Sequence, residues 1–184
     1  SSAASDVYKR QGDPVGRIVV LEDTDGDTFM DKSTVFLDGL VMARTVQFVE
    51  GGVLVQEPPK LWYCQDTYGD LKCDTKRLVG NFGVPGDPQH TDNGLFHCID
   101  NWMYNAKSSV RHKFVDGKLI EEKTFFRGQW GMTQDDYGRL YYCYESSPLH
   151  ADLVPSSYIY RNKNFQHGVG GCLLYTSPSP RDRG

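Results

Sequence analysis

A sixteen-residue segment of the chain recurs 43 positions later, and this repeat constrains the fold more than any other feature. Arg17–Lys32 reads RIVVLEDTDGDTFMDK, and Lys60–Thr75 reads KLWYCQDTYGDLKCDT. In both copies an apolar segment precedes a turn rich in Asp and Gly, and a second strand-like segment follows. Units of this kind recur every ~40–50 residues in β-propellers, where each blade is a four-stranded sheet. The repeat therefore predicts a propeller.

Short alternating segments predict the remaining strands. One blade comprises Arg44–Glu50, Gly52–Glu57, Leu61–Gln65 and Thr75–Gly80. The next begins at Gly94 and contains Trp102–Asn105, Val110–Val115 and Leu119–Phe126, and a further one begins at Gly131 and contains Arg139–Tyr144. No helical period persists. We expect an all-β chain, a partial β-propeller of about three to four four-stranded blades out of a six-bladed TolB/NHL-like ring. A β-sandwich is the competing fold, since short strands separated by turns also suit it.

Composition and charge exclude two classes of partner. The 184 residues carry a formal net charge of −4 and show no basic stripe, which argues against a nucleic-acid-binding surface. No apolar run approaches the ~18 residues of a membrane span, so we expect no membrane-spanning segment.

Both ends of the chain read as translated sequencing adapters. Residues 1–11 back-translate to the adapter and mosaic end of transposase-based libraries, and the segment from residue 172 back-translates to the opposite adapter. We therefore expect residues 12–171 to be the propeller fragment, and residues 1–11 and 172–184 to be adapter-derived tails that pack against nothing.

The first copy of the repeat contains a candidate calcium loop. Asp23, Asp25, Asp27 and Asp31 stand at positions 1, 3, 5 and 9 of the turn, and oxygen ligands at such spacing can surround a hard cation. The loop lacks the Glu at position 12 that an EF-hand requires. The second copy has Tyr68 at position 3, so we expect weaker binding there. The alternative is an acidic hairpin turn without a metal.

Four cysteines lie in the expected fragment. Cys64 and Cys73 flank the second turn, where a hairpin would bring them together as a disulfide or as two thiols. A disulfide would imply an oxidising compartment. Cys98 and Cys143 are predicted core residues.

Residues 90–104, HTDNGLFHCIDNWMY, resemble quinoprotein sugar dehydrogenases of the glucose and sorbosone type. That family has Leu, Asp and Tyr five, ten and fourteen residues after a His, as Leu95, Asp100 and Tyr104 follow His90 here. The resemblance implies that His90 is the general base that removes the sugar hydroxyl proton. Where the family has an Asp that orients this His, the chain has Ser109.

Two further segments extend the resemblance. Residues 127–132, RGQWGM, are similar to the family's Arg-Asn-Pro-x-Gly-Leu turn, which implies that Arg127 contacts the pyrroloquinoline quinone (PQQ) cofactor. Residues 145–148, ESSP, lie where family carbonyl groups hold a calcium ion against PQQ, which implies that Ser147 and Pro148 are calcium and cofactor ligands. The whole fragment resembles a group of membrane-bound dehydrogenase-like propellers of planctomycete-type bacteria through LEDTDGD, HTDNGL, GQWGMTQDDYGR and SSPLH.

The resemblance implies a periplasmic or otherwise extracytoplasmic oxidoreductase. It would oxidise a sugar or polyol hydroxyl by hydride transfer to PQQ, with calcium as Lewis acid and a c-type cytochrome domain as electron acceptor. We expect His90, Arg127, Ser147 and Pro148 to face one channel mouth. The alternatives are a non-catalytic propeller that binds glycans or proteins and keeps a relic site, and a lactonase-type propeller.

Overall fold

The computed structural model describes residues 12–82, 90–145, 147–155, 158–159, 164 and 171–175. Within these ranges the chain is all-β, with antiparallel sheets and no helix of ordinary length, as the sequence predicts. No sheet there closes on itself. Among the same residues, none belongs to a helix with the length and apolar character needed to cross a membrane. The chain divides into two compact units, residues 1–84 and 85–184.

The first unit contains a two-stranded and a four-stranded sheet. The two-stranded sheet consists of β1 (Gly16–Glu22) and β2 (Lys32–Leu40). The four-stranded sheet has the order β3-β4-β5-β6, with bounds Thr45–Val49, Gly52–Glu57, Lys60–Gln65 and Thr75–Asn81. The strands predicted between residues 44 and 80 agree with these bounds to within one residue.

Two glycines in the turn between β3 and β4 allow the four-stranded sheet to form at the position that the sequence predicts. Gly51 has a φ of 73°, a left-handed conformation that favours glycine. A Cβ atom at Gly52 would collide with the carbonyl oxygen of Cys64, so β5 approaches closely only because residue 52 is glycine. Val53, Val55 and Cys64 of β4 and β5 then form a buried cluster with Leu40 of β2.

The second unit contains two four-stranded sheets. The first has the order β10-β9-β8-β7, with β7 Asn93–His97, β8 Met103–Ala106, β9 Ser108–Val115 and β10 Lys118–Arg127. The second has the order β11-β12-β13-β14, with β11 Trp130–Gln134, β12 Leu140–Tyr144, β13 Ser147–Asp152 and β14 Gly171–Tyr175. Cys98, Tyr104 and Leu140 form a buried cluster in this unit.

The last strand corrects one expectation about the tails. Residues 172–184 were expected to pack against nothing, but Gly171–Tyr175 pairs antiparallel with β13 as an edge strand. The physical reason is that the unpaired N–H and C=O groups of a sheet edge accept any segment that can extend along them. Residues 1–11 and 176–184 lie outside the described residues, and the adapter origin of both tails stays a prediction.

Candidate functional site

A cavity of about 340 Å³ in the second unit combines charged, hydroxyl and aromatic side chains. Its polar lining consists of Asp100, Tyr104, Arg127, Tyr137, Arg139 and Asp152. These residues come from the turn after β7, from β8, from the end of β10, from the turn between β11 and β12, and from β13. The cavity thus lies among residues that are distant in sequence.

The deepest part of this lining is a buried ion pair between Arg127 and Asp152. Their side chains are 1% and 6% exposed, and Nη2 of Arg127 lies 2.6 Å from Oδ2 of Asp152. Nε of Arg127 also donates to the Asp152 carboxylate, at 3.0 Å from Oδ2, while Nη1 donates to Thr124 Oγ1 at 2.7 Å and to the Phe125 carbonyl at 3.0 Å. Burial raises the pKa of Asp152, and the hydrogen bonds from Arg127 oppose that rise. Every guanidinium nitrogen therefore already has a protein partner.

A second network fixes the hydroxyl group of Tyr104 beside this pair. The Tyr104 hydroxyl donates to Asp100 Oδ2 at 2.7 Å and accepts from Arg111 Nη1 at 2.9 Å. Arg111 Nη2 in turn donates to Glu122 at 2.7 Å. Burial raises the pKa of Tyr104, and the guanidinium carbon of Arg127 lies 5.1 Å from the centre of its ring. Tyr104 is consequently a neutral, oriented hydroxyl at physiological pH.

An exposed aromatic side chain stands at the turn between β11 and β12. Asp135 holds this turn, because its carboxylate accepts the backbone N–H groups of Tyr137 and Arg139 and the Arg139 Nε–H at 2.7 Å. Tyr137 is 84% exposed, and Arg139 lies 5.6 Å from the centre of its ring. Tyr137, Arg139 and Asp152 are not among the site residues that the sequence predicts. The Asp-Asp-Tyr-Gly-Arg turn at 135–139 was the available signal for the first two.

His90 belongs to a different group of side chains. His90 is exposed, and its Nδ1 lies 3.5 Å from Nε2 of Gln129, which lies 3.4 Å from a carboxylate oxygen of Glu145. The hydrogen bonds of Arg127 go to Asp152, Thr124 and Phe125, and none goes to His90. The shared site of His90 and Arg127 that the resemblance implies stays a prediction.

Asp92, two residues after His90, is the most perturbed acid in this region. Burial raises its pKa to about 6, and a hydrogen bond with the Ser108 side chain opposes that rise. Perturbed carboxylates of this kind are enriched at functional sites. At residue 109, where the resemblance implies an orienting carboxylate, a serine stands.

Ser147 and Pro148 are the first residues of β13. Ser147 pairs across the sheet with Tyr144, and its Oγ lies 2.9 Å from Nε2 of His150. The His150 ring stacks on Tyr142 with 5.7 Å between ring centres. These contacts tie Ser147 to its own sheet.

Three of the four predicted calcium ligands lie together in the first unit. Carboxylate oxygens of Asp23, Asp25 and Asp27 lie within 4.8 Å of one another. Asp31 is not part of this group, and its carboxylate accepts hydrogen bonds from the backbone N–H and the hydroxyl of Thr24. The predicted four-carboxylate set is therefore reduced to three.

The second copy of the turn repeats these hydrogen bonds at a shift of 43 residues. Asp66 accepts from the backbone of Gly69 at 2.7 Å and of Leu71 at 2.8 Å, as Asp23 accepts from Gly26 and Thr28. Asp74 accepts from Thr67 as Asp31 accepts from Thr24. The repeated Asp and Thr residues therefore serve to hold the turn, whether or not a cation binds.

The four cysteines Cys64, Cys73, Cys98 and Cys143 are free thiols. Cys73 packs against the buried cluster that contains Cys64, so the hairpin does bring the two together. Burial raises the pKa of the Cys64 thiol to about 12. The Cys98 side chain is buried, as predicted, whereas that of Cys143 is only half-buried.

Comparison with known proteins identifies the family. No curated protein and no solved structure matches the chain. A family model described as "Domain of unknown function (DUF7133)" matches residues 3–171. This match spans most of the chain, and the chain therefore belongs to the DUF7133 family.

Proposed function

We propose that the chain is a fragment of an extracytoplasmic β-propeller that binds a carbohydrate in the cavity of its second unit. The propeller part of the proposal is supported by the 43-residue repeat and by three four-stranded sheets whose strands are neighbours in chain order. The binding part is supported by one observation, the cavity that Asp100, Tyr104 and Arg139 line together with the Arg127–Asp152 pair.

The chemistry of this lining matches a neutral sugar. Sugar hydroxyl groups both donate and accept hydrogen bonds, and the lining offers the half-exposed Asp100 carboxylate as an acceptor and the half-exposed Arg139 guanidinium as a donor. The exposed Tyr137 ring offers an apolar face for the C–H groups of a pyranose. The charges of Arg127 and Asp152 balance each other, so the cavity has no buried net charge that would demand a charged ligand. Its volume falls in the ~300–1,000 Å³ range of ligand pockets.

PQQ-dependent oxidation of a sugar hydroxyl is the second candidate. The observation that favours it is His90 beside Gln129 and Glu145, with the perturbed Asp92 two residues away. Arg127 does not fit the role of a cofactor contact, because its side chain is buried and its nitrogens already have partners. Arg127 therefore supplies no step of that reaction. A c-type cytochrome domain would be expected as electron acceptor only for this second candidate.

We expect Tyr137→Ala to weaken carbohydrate binding about tenfold. Tyr137 is the most exposed of the large hydrophobic side chains in the cavity lining, and one such aromatic contact contributes about 1 kcal/mol. The measurement is a glycan-array screen of the full chain followed by calorimetry on the strongest ligand. Tyr68→Ala is the matched control, because Tyr68 is also 84% exposed but lies outside this cavity.

Two outcomes would contradict the proposal. Equal loss in both tyrosine variants would mean that the sugar does not bind at the cavity. Sugar-dependent dye reduction after addition of PQQ and calcium, abolished by His90→Ala and unaffected by Tyr137→Ala, would favour the oxidoreductase instead.

We also propose that the first Asp-rich turn binds calcium through Asp23, Asp25 and Asp27. The three carboxylates supply hard oxygen ligands within reach of one ion. The second turn has Tyr68 in place of Asp25, and Asp70, the counterpart of Asp27, forms an ion pair with Lys72 at 3.4 Å. The second turn therefore lacks a group of three carboxylates.

Calorimetry of the full chain should show calcium binding that Asp25→Asn weakens at least tenfold. Loss of one of three carboxylate ligands lowers both the charge and the number of oxygen ligands at the site. Asp70→Asn in the second turn is the control and should leave binding unchanged. Absence of calcium-dependent heat at millimolar concentration would overturn this proposal.

A further inference from the structure

In the described part of the chain, β1 has a hydrogen-bonded neighbour on one side only. β1 pairs with β2, whereas β5, its counterpart 43 residues later, lies between β4 and β6. β1 and β2 thus correspond to the last two strands of the four-stranded sheet. The internal repeat therefore indicates what belongs at the other edge of β1, namely the equivalents of β3 and β4.

An apolar groove of about 750 Å³ lies along β1 within the first unit. Its lining includes Val19 and Leu21 of β1 and Val46 and Phe48 of β3. Val19, Leu21 and Phe48 are 41%, 54% and 79% exposed, which is unfavourable for side chains of this size gathered in one place. The unpaired strand and the uncovered apolar groove thus lie together.

We propose that the free edge of β1 and this groove accept a β-hairpin from a further part of the same protein, completing a four-stranded sheet. The hairpin of β3 and β4, Thr45–Glu57, shows the length and the pattern of apolar residues that the occupant requires. Hydrogen bonds to the β1 backbone would supply the pairing, and apolar side chains would fill the groove.

Charge complementarity predicts an acidic residue in the strand that pairs with β1. In the complete sheet, Glu57 of β4 lies directly opposite Lys60 of β5. Arg17 of β1 stands at the position that corresponds to Lys60. The hairpin is therefore expected to place a carboxylate opposite Arg17, since opposite charges across a strand pair are favourable.

The test uses the full chain and a synthetic peptide with the sequence of residues 45–57. We expect saturable binding and slower amide hydrogen exchange in residues 16–22. Val19→Lys should weaken binding at least tenfold, because a charge would enter the apolar groove. Val35→Lys is the matched control, since Val35 is 39% exposed, lies opposite Val19 on β2 and does not line the groove. A peptide with Lys at its last position should also bind more weakly, because like charges would face each other at Arg17.

Two results would overturn the proposal. Equal affinity of the two valine variants would exclude the β1 groove, and Leu21→Lys repeats this test should Val19→Lys not fold. A dimer in sedimentation that Val19→Lys dissociates would show that a second copy covers the edge instead.

Discussion

Asp152→Ala is expected to lower the free energy of unfolding of the second unit by about 3–5 kcal/mol. The substitution leaves the Arg127 guanidinium buried without its carboxylate, and removing one partner of a buried ion pair costs this much. Chemical denaturation followed by tyrosine and tryptophan fluorescence measures the change.

Two controls separate the buried charge from a general loss of contacts. The double variant Arg127→Met with Asp152→Leu should recover most of the loss, because it removes both charges and fills similar volume. Asp38→Ala breaks the exposed ion pair with Arg17, whose side chains are 59% and 54% exposed, and should cost less than about 1 kcal/mol. A loss of that small size in Asp152→Ala would show that water reaches Arg127.

The stability of the chain should fall between about pH 4 and pH 6 because of Asp92. Its pKa is about 6 in the folded chain and close to the usual 3.8 when unfolded. Over that interval the unfolded state loses its proton while the folded state keeps it, so folding becomes less favourable as the pH rises. The shift corresponds to at most about 3 kcal/mol, and partial solvent screening reduces the expected change to about 1–2 kcal/mol.

Two variants test this assignment by unfolding titrations at a series of pH values. Asp92→Asn cannot ionise, so this variant should be more stable than the parent chain above pH 6. It should also lack the part of the fall in stability between pH 4 and pH 6 that Asp92 causes. Ser108→Ala removes a hydrogen bond that lowers the Asp92 pKa, so it should enlarge the fall in stability and extend it to higher pH. Stability that rises between pH 4 and pH 6 specifically because of Asp92 would contradict the assignment.

The sequence predicted the strands well wherever alternation and turn residues agreed. Gly52–Glu57 has its predicted bounds because Gly51-Gly52 marks one end and Pro58-Pro59 the other. The edge strand Gly171–Tyr175 was not predicted, since its formation depends on the free side of β13 and not on its own pattern.

The candidate site was less predictable, because side-chain partners distant in sequence decide it. Arg127 was chosen from a local motif, but Asp152, 25 residues away, determines its environment. Asp31 was chosen from spacing, but Thr24 holds its carboxylate. The recurrence of that Thr and Asp as Thr67 and Asp74 was a sequence signal for a structural role.

The ion pair between Arg127 and Asp152 has a consequence for the way the second unit opens. Arg127 ends β10 of one sheet, and Asp152 ends β13 of the other. Local opening of one sheet alone would break this pair and leave the other charge buried without its partner, so each sheet raises the cost of local opening of the other. The two sheets are therefore expected to unfold as one cooperative element, with their slowest-exchanging amides sharing one opening free energy.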